Sequence, residues 1–162
     1  MKKAVILDEI SIDRKIKRLS YEIFERNLNN NKLLLVGVKK NGFVLAKLIK
    51  KELSKICKIK IDIAQVLVDK KKPFAECVIY NNSIETHRNT SVIVIDDVCS
   101  SGKTMMYVVS SLIYNLTNKI STLVLVDRKH HNFPIKTDYV GIEVSTTLRQ
   151  FIEDELEANK GA

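Results

Sequence analysis

The order of hydrophobic and polar residues predicts strands and helices that alternate along the chain. Unbroken runs of leucine, valine and isoleucine are typical of strands buried on both faces, whereas a strand with one solvent-exposed face alternates apolar and polar residues. Runs of the first kind stand at 33–36, 92–95 and 123–126, the last within a buried strand predicted over 121–126, and a run that begins with alternation stands at 58–69. Residues 74–80 could return beside this last strand as the second arm of a hairpin.

Between these strands, apolar residues recur every three or four positions, which is the spacing of one helix face. This spacing predicts helices over 11–27, 43–53 and 105–116, the first of them capped by Ser11 or Asp13. Turns at 37–42 and 99–102 connect strand to helix. Such alternation predicts right-handed βαβ units, a mostly parallel sheet, and ligand binding beyond the carboxyl ends of its strands.

The ends of the chain and one polar loop are less regular. Residues 1–8 suit an edge strand or an extended arm, 135–144 predict a further strand, and 148–156 suit a terminal helix and an edge strand equally. In the polar loop 127–134, His130 and His131 stand side by side. Because adjacent side chains in an extended loop point apart, the sequence favours a surface turn there over a metal site.

Composition limits the classes of protein that need to be considered. With 162 residues, 45% of them hydrophobic, residues 1–162 are expected to form a single domain with its own core. No apolar run approaches the roughly 18 residues of a membrane span, and MKKAVILDEI meets acidic residues too early for a signal peptide. Cys57, Cys77 and Cys99 lack paired metal-ligand spacing, which indicates reduced thiols in a cytoplasmic protein. The net charge of +8 suits anionic substrates or RNA, or serves solubility alone.

The stretch SVIVIDDVCSSGKT, residues 91–104, carries the strongest chemical signal. Adjacent carboxylates at a strand end, here Asp96 and Asp97, can accept hydrogen bonds from vicinal ribose hydroxyls, directly or through Mg²⁺. The small-residue turn that follows leads into a helix start, where backbone N–H groups suit a phosphate. A Walker A loop is excluded, because Asp97 stands where that motif needs a glycine. Together these parts indicate a phosphosugar site; an ordinary turn after an acidic strand end is the alternative.

VIVIDDVCSSGKT resembles the phosphoribosyl pyrophosphate signature of type I phosphoribosyltransferases. Three further segments are similar, in the same order, to the pyrimidine-operon regulators that are also uracil phosphoribosyltransferases: KAVILDEISIDRKIKRLSYEIFERN, LLLVGVKKNGFVLAKLI and LVLVDRKHHNFPIKTDYVG. The resemblance extends to about Gly141. It implies an α/β type I phosphoribosyltransferase fold, in which helices flank a central, mostly parallel sheet with a small hood, and it implies a homodimer.

The same resemblance assigns roles to residues of two turns. Asp96 and Asp97 are the catalytic carboxylates, which hold the ribose hydroxyls and Mg²⁺. The pyrophosphate loop contains Val38, Lys39 and Lys40, and the family often has a strained cis peptide bond there, near the first two of these residues. From the residues alone, KKNG would be a solvated turn. The 5-phosphate group is assigned to Ser100, Ser101, Gly102, Lys103 and Thr104.

On the base side, the resemblance places Lys136 where the family has a basic residue that reaches a carbonyl oxygen of the nucleobase. Tyr139 and Val140 are expected to wall the pocket or to offer it backbone groups, and Arg128 is a further contact with base or pyrophosphate. Without the resemblance, Lys136, Tyr139 and Val140 would be interpreted as part of one more strand that begins with a basic residue. Ser100 stands where hypoxanthine-guanine enzymes typically carry an aspartate, which argues against a 6-oxopurine substrate.

Three functions remain open at this point. The first is a uracil phosphoribosyltransferase with a pyrimidine-regulatory role. The second is a nucleotide-sensing attenuation regulator that binds RNA and has little catalysis, and the third is a hypoxanthine or guanine phosphoribosyltransferase. The intact phosphosugar signature favours the first function. The basic charge and the short region 69–90, where the family has its flexible catalytic loop, favour the second.

Overall fold

A computed structural model of the chain describes residues 7–68, 78–80, 90–113 and 118–145. Helices and strands alternate along these residues as the hydrophobic pattern predicts. The predictions for 1–6, 69–77, 81–89, 114–116 and 148–156 lie outside the described residues. In chain order, the elements are α1 Glu9–Arg26, β1 Lys32–Val38, α2 Lys39–Ile56, β2 Lys60–Leu67, β3 Val78–Tyr80, β4 Ser91–Cys99, α3 Lys103–Ile113, β5 Lys119–Arg128 and β6 Tyr139–Val144.

The strands form one sheet in the order β3-β2-β1-β4-β5-β6. Neighbouring strands run parallel, except that β3 is antiparallel to β2, which confirms the mostly parallel sheet and the hairpin. The chain builds outward from β1 to β2 on one side and from β4 to β6 on the other. The side of the sheet to which the chain adds strands therefore changes between β1 and β4, which is a reversal of strand order. In open α/β sheets, ligands bind at such a reversal, beyond the carboxyl ends of the strands.

Helices cover both faces of the sheet. On one face, α1 and α2 form an apolar cluster in which Leu45 and Ile93 are members. On the other face, α3 forms a second cluster that includes Val108 and Val94. Because β1 lies between these layers, its residues from Leu33 onward are all buried, which explains the unbroken apolar run in its sequence. No described helix has both the length and the apolar character needed to span a membrane.

The start of α1 differs from the prediction. The helix begins at Glu9, and Asp8 is its N-cap, since Oδ1 of Asp8 accepts a hydrogen bond from the backbone N–H of Ser11 at 2.7 Å. Neither Ser11 nor Asp13 therefore caps the helix. Hydrogen bonding to Ser11 lowers the pKa of Asp8, as expected for a carboxylate that satisfies the first N–H groups of a helix.

The turn predicted at 37–42 is also shorter than expected, because α2 begins at Lys39, directly after β1. Close packing accounts for this early start. A Cβ atom on Gly42 would lie 2.4 Å from the carbonyl oxygen of Ile95, so only a residue without a side chain lets α2 approach β4 this closely. In turn, β4 extends beyond the predicted 92–95 to Cys99, because its polar end still pairs with β5.

Gly42→Ala is expected to lower the free energy of unfolding by about 1–3 kcal/mol, because the new methyl group would overlap backbone atoms of β4. Alanine is the better helix former by about 1 kcal/mol, so a position that merely had to be helical would gain stability. Urea unfolding followed by circular dichroism measures the difference. Lys51→Ala, at an exposed position of α2, is the control and should change stability by less than about 0.5 kcal/mol. A Gly42→Ala variant as stable as the wild type would contradict this packing.

Candidate active site

The segments that follow β1 and β4 lie side by side at the reversal of strand order. Asn41, in the first turn of α2, donates from Nδ2 to Oδ2 of Asp97 at 3.1 Å. This hydrogen bond joins the two segments that the resemblance assigns to pyrophosphate and to ribose. Asn41 is absent from the predicted site residues, although it stands in the KKNG sequence between Lys40 and Gly42.

The carboxylates of Asp96 and Asp97 are partly buried at the end of β4. The backbone N–H of Asp97 donates to Oδ1 of Asp96, and that of Val98 donates to Oδ1 of Asp97, each at 2.9 Å. Burial, followed by the neighbouring Asp97, raises the pKa of Asp96 well above its ordinary value, and Lys39 opposes this shift. The strand end therefore concentrates negative charge that a cation or hydroxyl donors would relieve.

The phosphate turn, residues 99–104, connects β4 to the amino end of α3. Gly102 has a φ of 82°, a conformation that favours glycine. The Ser101 hydroxyl accepts a hydrogen bond from the backbone N–H of Lys103 at 3.3 Å. The helix start provides backbone N–H groups and a dipole that favour an anion. The turn encloses a cavity of about 90 Å³ that is lined by Asp96, Val98, Cys99, Ser100, Ser101, Gly102, Lys103, Thr104 and Met105.

Lys39 takes a strained conformation at the junction of β1 and α2. Its φ is 54°, and Nε2 of Gln65 donates to its carbonyl oxygen at 3.0 Å. A positive φ costs a non-glycine residue on the order of 1 kcal/mol and is found where other contacts hold it in place. The cis peptide bond expected near Val38 is absent, since every peptide bond among the described residues is trans. Gln65 is a second residue that the sequence reasoning missed, because its contact depends on the pairing of β1 with β2.

A larger cavity of about 220 Å³ lies on the other side of the phosphate turn. Arg128, at the end of β5, borders it and donates from a terminal guanidinium nitrogen to the Ser100 hydroxyl at 3.3 Å. Ser100, Ser101 and Arg128 are among the predicted site residues, and the role of Arg128 as a contact with base or pyrophosphate stays a prediction. Val144 comes beside Arg128 because β5 pairs with β6. The lining of this cavity is Ser100, Ser101, Arg128, Lys129, His130, Asn132, Val144 and Ser145.

The structure does not bring Lys136, Tyr139 and Val140 to the carboxylates. Lys136 extends into solvent, with 86% of its side chain exposed. Tyr139 is 1% exposed in the core beneath α1, where its hydroxyl accepts a hydrogen bond from Asn27. Tyr139 and Val140 begin β6, which runs parallel to β5, and Tyr139 lies about 16 Å from Val144 at the cavity. Val140 and Asp96 both pair with Val124, so Val140 lies level with Asp96 but two strands, about 10 Å, away. The segment that the resemblance links to the base thus enters the sheet level with the carboxylates, but β5 separates it from them.

Asp96→Asn is expected to raise the stability of the unliganded protein at pH 7 by about 1–2 kcal/mol, because it removes a charge that burial and Asp97 disfavour. The pKa of Asp96 is higher in the folded state than in the unfolded state, so the wild type loses stability as pH rises through the folded pKa. The advantage of the variant should therefore vanish below about pH 4. Urea unfolding of both proteins across this range measures the effect. Asp13→Asn, at an exposed site in α1, is the control, and a pH-independent difference would contradict the account.

Sequence comparison identifies relatives that match nearly the whole chain. A bifunctional protein PyrR from Streptococcus gordonii is 34% identical over 167 residues, which cover 99% of this chain and 95% of the relative. A bifunctional protein PyrR from Actinobacillus succinogenes is 33% identical over 159 residues, which cover 92% of this chain and 89% of the relative.

Solved structures share the fold at lower identity. A hypoxanthine-guanine phosphoribosyltransferase from Bacillus anthracis matches with a TM-score of 0.74 and 19% identity over 89% of this chain and 83% of that one. A hypoxanthine phosphoribosyltransferase from Trypanosoma cruzi, in complex with the product IMP, matches with a TM-score of 0.76 and 16% identity over 88% of this chain and 80% of that one. At such identity these matches establish the fold alone. The model of the phosphoribosyl transferase domain matches residues 5–157. The chain therefore belongs to the phosphoribosyltransferase family, in which the bifunctional PyrR proteins are its relatives.

Proposed function

We propose that this phosphoribosyltransferase transfers ribosyl 5-phosphate from phosphoribosyl pyrophosphate to uracil. The observation that carries the proposal is the hydrogen bond from Asn41 to Asp97, which joins a pyrophosphate-side segment and a ribose-side carboxylate at the reversal of strand order. A donor with phosphate groups at both ends of a ribose needs two anion-binding segments with carboxylates between them. The segments after β1 and β4 are arranged in that way.

In the reaction, the bond from the anomeric carbon to pyrophosphate breaks and a bond to a ring nitrogen of uracil forms. Pyrophosphate leaves with the bonding electron pair, and the ring nitrogen loses its proton. Positive charge develops at the anomeric carbon, and Asp96 and Asp97 would stabilise it while they accept hydrogen bonds from the ribose hydroxyls. The phosphate turn holds the 5-phosphate group, which fixes the ribose against the carboxylates.

Mg²⁺ is part of the proposal. Carboxylate oxygens of Asp96 and Asp97 suit this cation, which prefers carboxylates together with substrate phosphates. Burial and the neighbouring Asp97 raise the pKa of Asp96, and the positive charge of Mg²⁺ would oppose both effects. When bound, Mg²⁺ would neutralise charge on the pyrophosphate group. Lys39 and Lys40 are the residues of this chain that we assign to the same pyrophosphate.

We place the base at the larger cavity rather than at Lys136 or Tyr139. Arg128 and Ser100 offer hydrogen-bond donors there, and Val144 offers an apolar wall. A hydroxyl at Ser100 cannot act as the acid or base that a carboxylate would be at a purine ring. The ring N–H of uracil is acidic enough to react without such a group, so uracil is the preferred substrate.

A second candidate function is RNA binding in pyrimidine regulation. The helix α2 contains Lys39, Lys40, Lys47, Lys50, Lys51 and Lys55 and a single acidic residue, Glu52. Such a surface suits a polyanion, and its affinity should fall steeply with salt. Both activities can coexist in one chain. The homodimer remains a prediction, and the free thiols of Cys57 and Cys99 fit the cytoplasmic location that the sequence suggests.

Radiolabelled uracil, incubated with phosphoribosyl pyrophosphate and Mg²⁺, should be converted to its nucleotide, and hypoxanthine, guanine and orotate should not. Asp97→Asn should lower kcat/KM about 100-fold or more, because it removes charge that stabilises the developing cation. Asp62→Asn is the matched control; Asp62 pairs with Lys32 at 3.2 Å toward the amino ends of β2 and β1, away from the site at their carboxyl ends, and this change should leave turnover intact. Turnover of a purine would refute the uracil assignment. Turnover of none of the bases, with salt-sensitive RNA binding, would favour the regulator.

A further inference from the structure

The segment between β5 and β6, residues 129–138, is here named the return segment, because it folds back over the phosphate turn. The backbone N–H groups of Asn132 and Phe133 donate to the carbonyl oxygen of Ser101 at 3.0 and 3.1 Å. Gly102 touches the same segment, since a Cβ atom there would lie 2.5 Å from Cγ2 of Ile135. The outer side of the phosphate turn is therefore shaped by the return segment.

A buried polar network fastens the return segment to β5. Asp127, the penultimate residue of β5, lies with Oδ1 2.6 Å from Nε2 of His131, and its Oδ2 accepts a hydrogen bond from the Thr137 hydroxyl at 2.5 Å. The side chains of Asp127 and His131 are 9% and 14% exposed. The surface-turn interpretation of the two histidines thus holds for His130, which is exposed, and is wrong for His131.

Both ring nitrogens of His131 face oxygen atoms that can accept a hydrogen bond. Its Nε2 faces the Asp127 carboxylate, and its Nδ1 lies 3.1 Å from the carbonyl oxygen of Ile135. A neutral imidazole has one N–H and could satisfy one of these two acceptors, whereas an imidazolium satisfies both. Cys99, at the end of β4, faces the same pair, with the ligand atoms of all three residues within 4.8 Å of one another.

The thiol of Cys99 adds no charge to this cluster. Burial, followed by the carboxylates of Asp127 and Asp96, raises the pKa of Cys99 to about 12. Of the three residues in the cluster, only His131 can carry a positive charge opposite Asp127. Without a positive charge on His131, the buried Asp127 carboxylate would have a hydrogen bond from the Thr137 hydroxyl but no countercharge in the cluster. A buried charge without a countercharge lowers the free energy of unfolding.

We propose that Asp127 and His131 are positioning residues for the phosphate turn: as a carboxylate–imidazolium pair, they hold the return segment against Ser101 and Gly102 and so set the affinity for ribosyl 5-phosphate. The proposal rests on the proposed function for the identity of the ligand. It assigns neither residue a contact with substrate. It predicts that losing the pair loosens the turn while Asp96 and Asp97 stay in place, so that substrate binding suffers and the chemical step does not.

The protonation state can be tested without any substrate. Nitrogen NMR of the protein labelled with ¹⁵N-histidine should show, at pH 6.5, one ring with both nitrogens protonated that disappears in His131→Gln. A His131 ring with a single N–H would overturn the proposal. So would stoichiometric zinc that is lost in both Cys99→Ala and His131→Gln, because a metal ion rather than a proton would then join the cluster.

The positioning role is tested by kinetics with phosphoribosyl pyrophosphate. His131→Gln should raise KM for this substrate about tenfold and change kcat less than twofold. Thr137→Val, which removes the hydroxyl donor to Asp127 at nearly constant shape, should raise KM in the same direction, and Thr137→Ser, which retains the hydroxyl, should restore it. Unchanged KM in folded His131→Gln and Thr137→Val, or a fall in kcat alone, would overturn the proposal. If the wild type has the NMR signature but neither binds nor uses phosphoribosyl pyrophosphate, the proposed function fails separately.

Discussion

Two adjacent carboxylates at the end of β4 impose the main electrostatic constraint on this fold. They are held partly buried, next to one another, and the pKa of Asp96 is raised as a consequence. Each pKa unit of such a shift corresponds to about 1.4 kcal/mol between the charged and neutral forms. The fold tolerates this loss of stability because β4 is one of the two middle strands of the sheet, and its side chains are buried in both apolar clusters. Mg²⁺ and the hydroxyl donors of a bound ribose would offset part of this loss.

The surrounding elements bring donors to these carboxylates from separate directions. Gly42 lets α2 pack against β4, and this contact places Asn41 within hydrogen-bond distance of Asp97. The strained conformation of Lys39 belongs to the same junction and is held by Gln65 from β2. On the other side, the phosphate turn is confined by the return segment. The larger cavity, at which we place the base, lies where β5 and β6 end, and under that proposal differences in base selectivity within this fold are expected there.

The sequence was informative wherever a contact is local. Apolar runs such as 92–95 predict buried strands, and the order of acids, small residues and helix start after that run predicts the phosphate turn. Contacts between distant segments could not be found in this way. Arg128 lies opposite Val144 only because β5 and β6 pair in one register, and Gln65 reaches Lys39 only because β2 lies beside β1. Tyr139 illustrates the limit most clearly: it follows the polar loop closely in sequence, yet it begins a strand that β5 separates from β4, and its side chain is buried in the core beneath α1.

The central claim is that the segments after β1 and β4 act as one site through the bond from Asn41 to Asp97. A double-mutant cycle on the calorimetric affinity for phosphoribosyl pyrophosphate with Mg²⁺ tests this claim directly. The account predicts that Asn41→Ala and Asp97→Asn each weaken binding and that the double variant is hardly weaker than Asp97→Asn alone, a coupling of about 1 kcal/mol or more. Additive losses from the two substitutions, or an affinity that neither substitution changes, would contradict it.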